Sequence, residues 1–182
     1  MKTKFLPILI LAAFLSAGCE TDQASSSGGS SVNKNYKPCL VDLNGDAVKE
    51  VVYIDEKSDC ASGAVIRIKN RDQTEIDSLK VPGRFKNLKF IELNNDGQKQ
   101  IAVYFEGENN FINLAIYQLK NDRLFKMFSA ESEYGIDAEF GSAIPRIKIG
   151  KGRSENGEYS ANYVSEVDTW IWDGTKFIKD SK

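Results

Sequence analysis

Oxygen-bearing side chains at alternate positions are the first feature of this sequence that could do chemistry. In DLNGDAVKE (42–50), Asp42, Asn44, Asp46 and Glu50 hold the first, third, fifth and ninth places, and Val48 offers a carbonyl at the seventh. Alternate residues of a tightly curled loop point inward, so this spacing can surround a hard cation with hard oxygens, as calcium requires. Fifty residues later the pattern returns as ELNNDGQKQ (92–100), with Glu92, Asn94 and Asp96 in place and Gln100 where the ninth-place carboxylate stood. The same side chains have a metal-free use, because Asp and Asn bond to backbone N–H groups two residues on and stabilise sharp turns. Gly97 suits a bend with positive φ, whereas Ala47 at the equivalent place carries a Cβ that resists it. Both uses stay open. Magnesium fits less well because it demands tighter octahedral geometry, and zinc finds no histidine.

Other chemistry is thin. Without histidine, Ser–His and Cys–His nucleophilic arrangements are absent. Glu106, Glu108, Glu131, Glu133, Asp137 and Glu139 could supply an acid pair, which glycoside hydrolysis needs about 5–9.5 Å apart. Acids in loops are more often a solvated face, and the expectation is a protein that is not an enzyme. GKGR (150–153) lacks the Ser/Thr and the strand–helix setting of a phosphate-binding loop, and reads as a β-turn.

The elements that must position the two acidic turns are strands. Short apolar or alternating runs rich in β-branched and aromatic residues occur at 51–54, 65–68, 90–91, 101–105, 112–119, 124–128, 147–149, 159–164, 170–172 and 177–178. No window sustains a helical apolar stripe for three turns, and the best helical candidate, 130–140, is short and contains a glycine. The chain is therefore expected to be all-β. Downstream of each acidic turn comes a second strand and a tight polar turn, AVIRIKNRD (64–72) in one copy and AIYQLKNDR (115–123) in the other. A third, worn copy ends as TWIWDGTKF (169–177), where Asp173–Gly174 gives a strong hairpin signal. Its opening turn is expected near 136–142, with Asp137 as the surviving acid. Such repeated units have sheet faces they cannot bury alone and must lay against a neighbour. Tyr104, Phe105, Tyr117, Phe125, Trp170 and Trp172 are the natural packing between sheets.

With these residues set out, D-L-N-G-D-x-x-x-E followed by V-V-Y, and the later W-D-G-x-x-F, resembles the FG-GAP or VCBS-type repeats of bacterial exported proteins and integrin-like β-propellers. The resemblance covers about residues 38–180. It implies four-stranded antiparallel blades with a calcium-binding acidic loop in each. Carried over by position, the ligands are Asp42, Asn44, Asp46, the Val48 carbonyl and Glu50, then Glu92, Asn94, Asp96 and the Gln98 carbonyl. The chain departs from the pattern in lacking a glycine after Asp46 and an acid at position 100. It is also too short for a closed ring of six or seven blades. The expected architecture is a partial, propeller-like array of blade-like sheets, with a compact β-sandwich as the alternative.

The N-terminus carries a separate message. Lys2 and Lys4 precede an apolar run from Phe5 to Leu15, which is short for the ~20 residues that span a bilayer. LSAGC (15–19) resembles the lipobox of bacterial lipoproteins, whose cysteine receives a diacylglyceryl group and becomes the first mature residue. The expected division is a lipoprotein signal peptide at 1–18, lipidated Cys19 and a flexible Ser/Gly tether at 19–34, and an all-β repeat domain at 35–182. Glu20 replaces the aspartate that usually retains such proteins in the inner membrane, which favours the outer membrane in a Gram-negative host. With Cys19 assigned to lipid, Cys39 and Cys60 are expected to pair in an oxidising compartment. Closing that loop would stabilise by roughly 3 kcal/mol on the chain-entropy account. Removing 1–18 leaves twenty-two basic and twenty-six acidic side chains with no basic block, so nucleic acid is not an expected partner. The functional expectation is a non-enzymatic, membrane-anchored envelope lipoprotein whose β domain binds a protein or glycan. Loops at 129–141 and 150–159 would supply the contacts. The alternatives are a structural or assembly lipoprotein and a protein inhibitor of an envelope hydrolase.

Overall fold

The structure, a computed structural model, describes residues 37–56, 63–152 and 164–181. The signal peptide, Cys19, the tether and Cys60 lie outside the described residues, as do most of the expected strand at 159–164 and of the expected contact loop at 150–159.

The chain is all-β. Three four-stranded antiparallel sheets follow one another along the sequence. The first holds β1 (Cys39–Val41), β2 (Glu50–Glu56), β3 (Ala64–Lys69) and β4 (Glu75–Lys80). The second holds β5 (Arg84–Ile91), β6 (Gln100–Glu106), β7 (Ile112–Lys120) and β8 (Arg123–Ser132), with one short 3₁₀ turn at Glu108–Asn110. The third holds β9 (Ile136–Glu139), β10 (Arg146–Gly152), β11 (Val164–Trp172) and β12 (Phe177–Lys179). Each sheet is a meander in which every strand pairs with its neighbours in sequence, and the three sheets do not close into a ring. The crossing from the first sheet to the second turns at Gly83, whose φ is 85° and where a Cβ would meet the Glu106 carbonyl at 2.2 Å. Only glycine fits there.

Burial explains why the strands read as they do. The second sheet lies between the other two. On one face Phe85, Leu88, Ile101, Val103 and Leu119 pack against Val41, Val52, Ile66 and Ile68 of the first sheet. On the other face Ala102, Leu114, Ile116 and Phe128 pack against Ile147, Ile149, Trp172 and Phe177 of the third. β6 is covered on both sides and is apolar at nearly every position, whereas β3 in an outer sheet alternates buried and half-buried residues. Period-2 alternation is what one covered face predicts, and a continuous apolar run is what two covered faces require. Trp170 and Trp172 are packing residues: Phe128 meets Trp170 edge-on at 5.5 Å and Phe177 lies 5.1 Å from Trp172.

The outward faces of the end sheets carry charge. Arg67 pairs with Glu75 at 3.0 Å, Lys69 lies 5.2 Å from the Tyr53 ring centre, and Lys148 pairs with Glu139 at 3.0 Å. Within the third sheet Asp168 receives Lys151 at 2.5 Å and Lys179 at 2.8 Å, tying three strands together.

One expectation is corrected. The third repeat does not open with an acidic turn at 136–142: residues Ile136–Glu139 form β9, where Asp137 sits opposite Lys148, and the link to β10 is the acid-free FGSAIP at 140–145. The strand at 170–172 is the end of the longer β11. The stretch at 130–140 is not helical; it holds the end of β8, a turn at Gly135 with φ 103°, and β9. Cys39 is held in a disulfide. Its pairing with Cys60 stays a proposal.

Ile101 is fully buried at the centre of the doubly covered sheet. Ile101→Ala should therefore cost about 2–5 kcal/mol, read as a lower midpoint in equilibrium urea unfolding with an unchanged slope.

Candidate functional site

The two acidic turns occupy equivalent places, each joining the first strand of its sheet to the second. Residues 42–49 form loop 1 and residues 92–99 form loop 2. Their backbones bend alike, with left-handed conformations at Gly45 and Ala47 (φ 81° and 64°) and at Asn95 and Gly97 (φ 54° and 85°).

Loop 1 is knitted by its own side chains. Asp42 accepts hydrogen bonds from the Gly45 and Ala47 N–H groups at 2.7 and 2.9 Å. Asn44 accepts from the Asp46 N–H at 3.0 Å, and Asp46 from the Val48 N–H at 2.7 Å. The Asn44 amide donates to the second Asp46 oxygen at 3.0 Å. Glu50 turns inward, 4% exposed, and accepts from the Leu43 N–H at 2.7 Å. Burial pushes the Glu50 carboxyl above its ordinary range, and the charges of Asp46 and Asp42 push the same way, opposed by its backbone hydrogen bonds. A buried carboxylate with two acids for neighbours is an electrostatic cost.

Loop 2 keeps the frame and changes the charge. Gln100 replaces Glu50, accepts from the Leu93 N–H at 3.1 Å and donates to the Gln98 carbonyl at 3.2 Å. An ionised Glu50 has no hydrogen to give the Val48 carbonyl in that way. Glu92 accepts from the Gly97 N–H at 2.9 Å and from the Lys99 ammonium. Lys99 and the Gly97 bond hold the Glu92 carboxyl below its ordinary range. Asp96 accepts from the Gln98 N–H at 3.0 Å, and Asn94 accepts the Trp172 indole N–H from the third sheet at 2.8 Å.

Among the described residues, no group of three or more His, Cys, Asp or Glu side chains gathers in a way that could hold a metal ion. In loop 1 the expected ligands Asp42, Asn44, Asp46 and Glu50 spend oxygens on backbone N–H groups of the same turn. Nothing among the described residues fixes the Val48 carbonyl as a fifth partner, so the three acids supply negative charge but no assembled cage. Loop 2 does not fit: Glu92 is neutralised by Lys99 and the Asn94 oxygen is engaged by Trp172.

The sheets bring the two loops together. Gln98, expected to offer only its carbonyl, uses its side chain as a bridge. Its amide donates to the Leu43 carbonyl of loop 1 at 2.9 Å and to the Leu119 carbonyl at 3.1 Å, and its oxygen accepts from Gln118 at 2.9 Å. The Lys99 N–H donates to the Asp42 carbonyl at 3.0 Å. Beside this bridge lies a groove of ≈ 420 Å³ lined by Asn44, Asp46, Gln98, Gln118, Leu119, Lys120, Asn121 and Asp122. The last three belong to the β7–β8 turn, whose Asn121 and Asp122 both take positive φ (51° and 58°).

The KNDR turn had been read only as a repeat marker. Its place against loop 1 depends on how two sheets stack, for which the sequence carries no local signal. The acids considered for catalysis stand elsewhere: Glu106 is held by Lys86 and Glu139 by Lys148. Glu131 lies in β8 and Asp137 in β9, with Glu133 between them. The side chain of Glu108 lies outside the described residues.

The left-handed Ala47 gives a direct check on the loop frame. Ala47→Gly should raise stability by about 0.5–1 kcal/mol, measured by chemical unfolding, because the Cβ penalty there exceeds the added freedom of the unfolded chain. Comparison of the chain with protein-family models, curated proteins and solved structures found no match.

Proposed function

We propose that this chain is a non-enzymatic, membrane-anchored envelope lipoprotein whose β-repeat domain binds an envelope protein or glycan. The observation that carries the reading is the groove beside Gln98. Its lining joins the hydrogen-bonded amides of Gln98 and Gln118 to Asn44 and Asp46 of loop 1 and to Lys120, Asn121 and Asp122. Planar amides and carboxylates converge there from loops fixed by a rigid scaffold, where recognition surfaces commonly sit. Its volume lies in the range of small-ligand sites. Amide and carboxylate groups suit the vicinal hydroxyls of a sugar or the exposed backbone of a partner loop. The lipobox-like LSAGC and the tether after it support anchorage at Cys19.

Titration calorimetry with chitotetraose and maltotetraose, together with crosslinking in envelope extracts, tests the site. The double variant Lys120→Ala/Asp122→Gly keeps a turn that glycine accommodates, and it should weaken the captured ligand at least about tenfold, near 1.4 kcal/mol. Binding that is unaffected by this change moves recognition away from the groove.

Calcium at loop 1 belongs to the same reading, held by Asp42, Asn44, Asp46, Glu50 and the Val48 carbonyl. Its chemistry there would be charge neutralisation around the buried Glu50. A ligand at a hundredfold its Kd adds about 2.7 kcal/mol to the folded state. Melting curves should rise in millimolar calcium for the wild type and stay fixed for Asp42→Ala. Equal curves with and without calcium in the wild type retire the ion.

A further inference from the structure

Loop 2 repeats the backbone of loop 1 but meets its acids with donors from the protein itself. Glu92 is one methylene longer than Asp42. Where Asp42 gives both oxygens to backbone N–H groups, Glu92 gives one to Gly97 and the other to the Lys99 ammonium. The pair is only partly open to water, with side chains 36% and 25% exposed. The third-place Asn94 oxygen accepts the indole N–H of Trp172, a residue of the third sheet that is 7% exposed. The ninth place is the neutral Gln100, which is 1% exposed and gives and takes a hydrogen bond within the loop.

We propose that Lys99 is the resident cation of the second loop: its ammonium, with the Trp172 indole, occupies the oxygens an ion would otherwise use. The seam between the second and third sheets is then locked without metal. Two independent contacts carry this, one ionic within the loop and one across the sheets. Lys99 holds Glu92 against the turn, the turn presents Asn94, and Asn94 anchors Trp172 beside Phe177. Loop 1 has a lysine at the matching place, Lys49, but its shorter Asp42 has both oxygens on the backbone. The inference stands whether or not loop 1 binds calcium and whatever the groove recognises.

The test uses the full chain and its variants Lys99→Met, Lys99→Arg and Asp42→Ala, followed by thermal melting and tryptophan emission in EDTA and in calcium chloride. Lys99→Met should melt about 2–4 °C lower and shift its emission to the red, because Trp172 loosens from Asn94. Lys99→Arg should restore both readings. Asp42→Ala, which disables loop 1, should melt alike in EDTA and calcium. A Lys99→Met protein with wild-type melting and emission overturns the proposal. So does an Asp42→Ala protein that calcium still stabilises, since loop 2 would then hold an ion.

Discussion

Covering both faces of one sheet is the constraint on which the rest of this molecule depends. The central strand β6 of the second sheet has no wet side over most of its length, so it is apolar in both directions, while the edge strands β5 and β8 keep exposed polar positions. Ile101 and Val103 point one way and Ala102 the other, into separate cores. Each fully buried Ile or Val contributes about 1.5–3 kcal/mol relative to exposure. The outer sheets stack because the middle one cannot stand in water. Once they stack, the loops at one end are placed side by side with no freedom to separate. Gln98 can reach the Leu43 carbonyl only because the cores beneath have already set that spacing.

The sequence was legible where burial is symmetrical or alternates cleanly. QIAVYF reads as a strand from any direction because both faces are covered, and AVIRI reads as one because every second residue is. Three strands went unread: β1, β4 and β9. All three are sheet edges. An edge strand leaves one side of its backbone unpaired, and here two of them, EIDSLK and IDAE, have no fully buried position in the observed pattern. Polar edges blunt unwanted pairing with other chains, and that polarity is what hides them from a reading based on hydrophobic period. The duplicated acidic turn was legible as a turn, since its Asp and Asn spacing fixes local hydrogen bonds. Its traffic with neighbours was not. Gln98 to Leu43 spans fifty-five positions and Asn94 to Trp172 seventy-eight, and nothing local to either residue announces the other.

Two loops with one backbone and opposite electrostatics show how little of a turn's shape is owed to its charge. The bends at Gly45–Ala47 and Asn95–Gly97 persist although one loop carries a buried carboxylate and the other a buried amide. Backbone N–H groups accepted by Asp and Asn side chains in one loop, and by Glu92 and Asp96 in the other, hold the shape in both. What the charges decide is whether the side chains compete or cooperate: Asp42, Asp46 and Glu50 oppose one another, while Glu92 is drawn to Lys99.

The meander order of all three sheets has a kinetic meaning. Every strand pairs with the strand next to it in the chain, so ladder contacts span short loops, and β proteins owe much of their slowness to pairings between distant segments. Here the distant contacts arise only when a finished sheet lies down on the one before it. Topology thereby favours one order of assembly, with local hairpins before sheet-on-sheet docking. Until both flanking sheets dock, the apolar faces of the middle sheet are the surface most exposed to sticking.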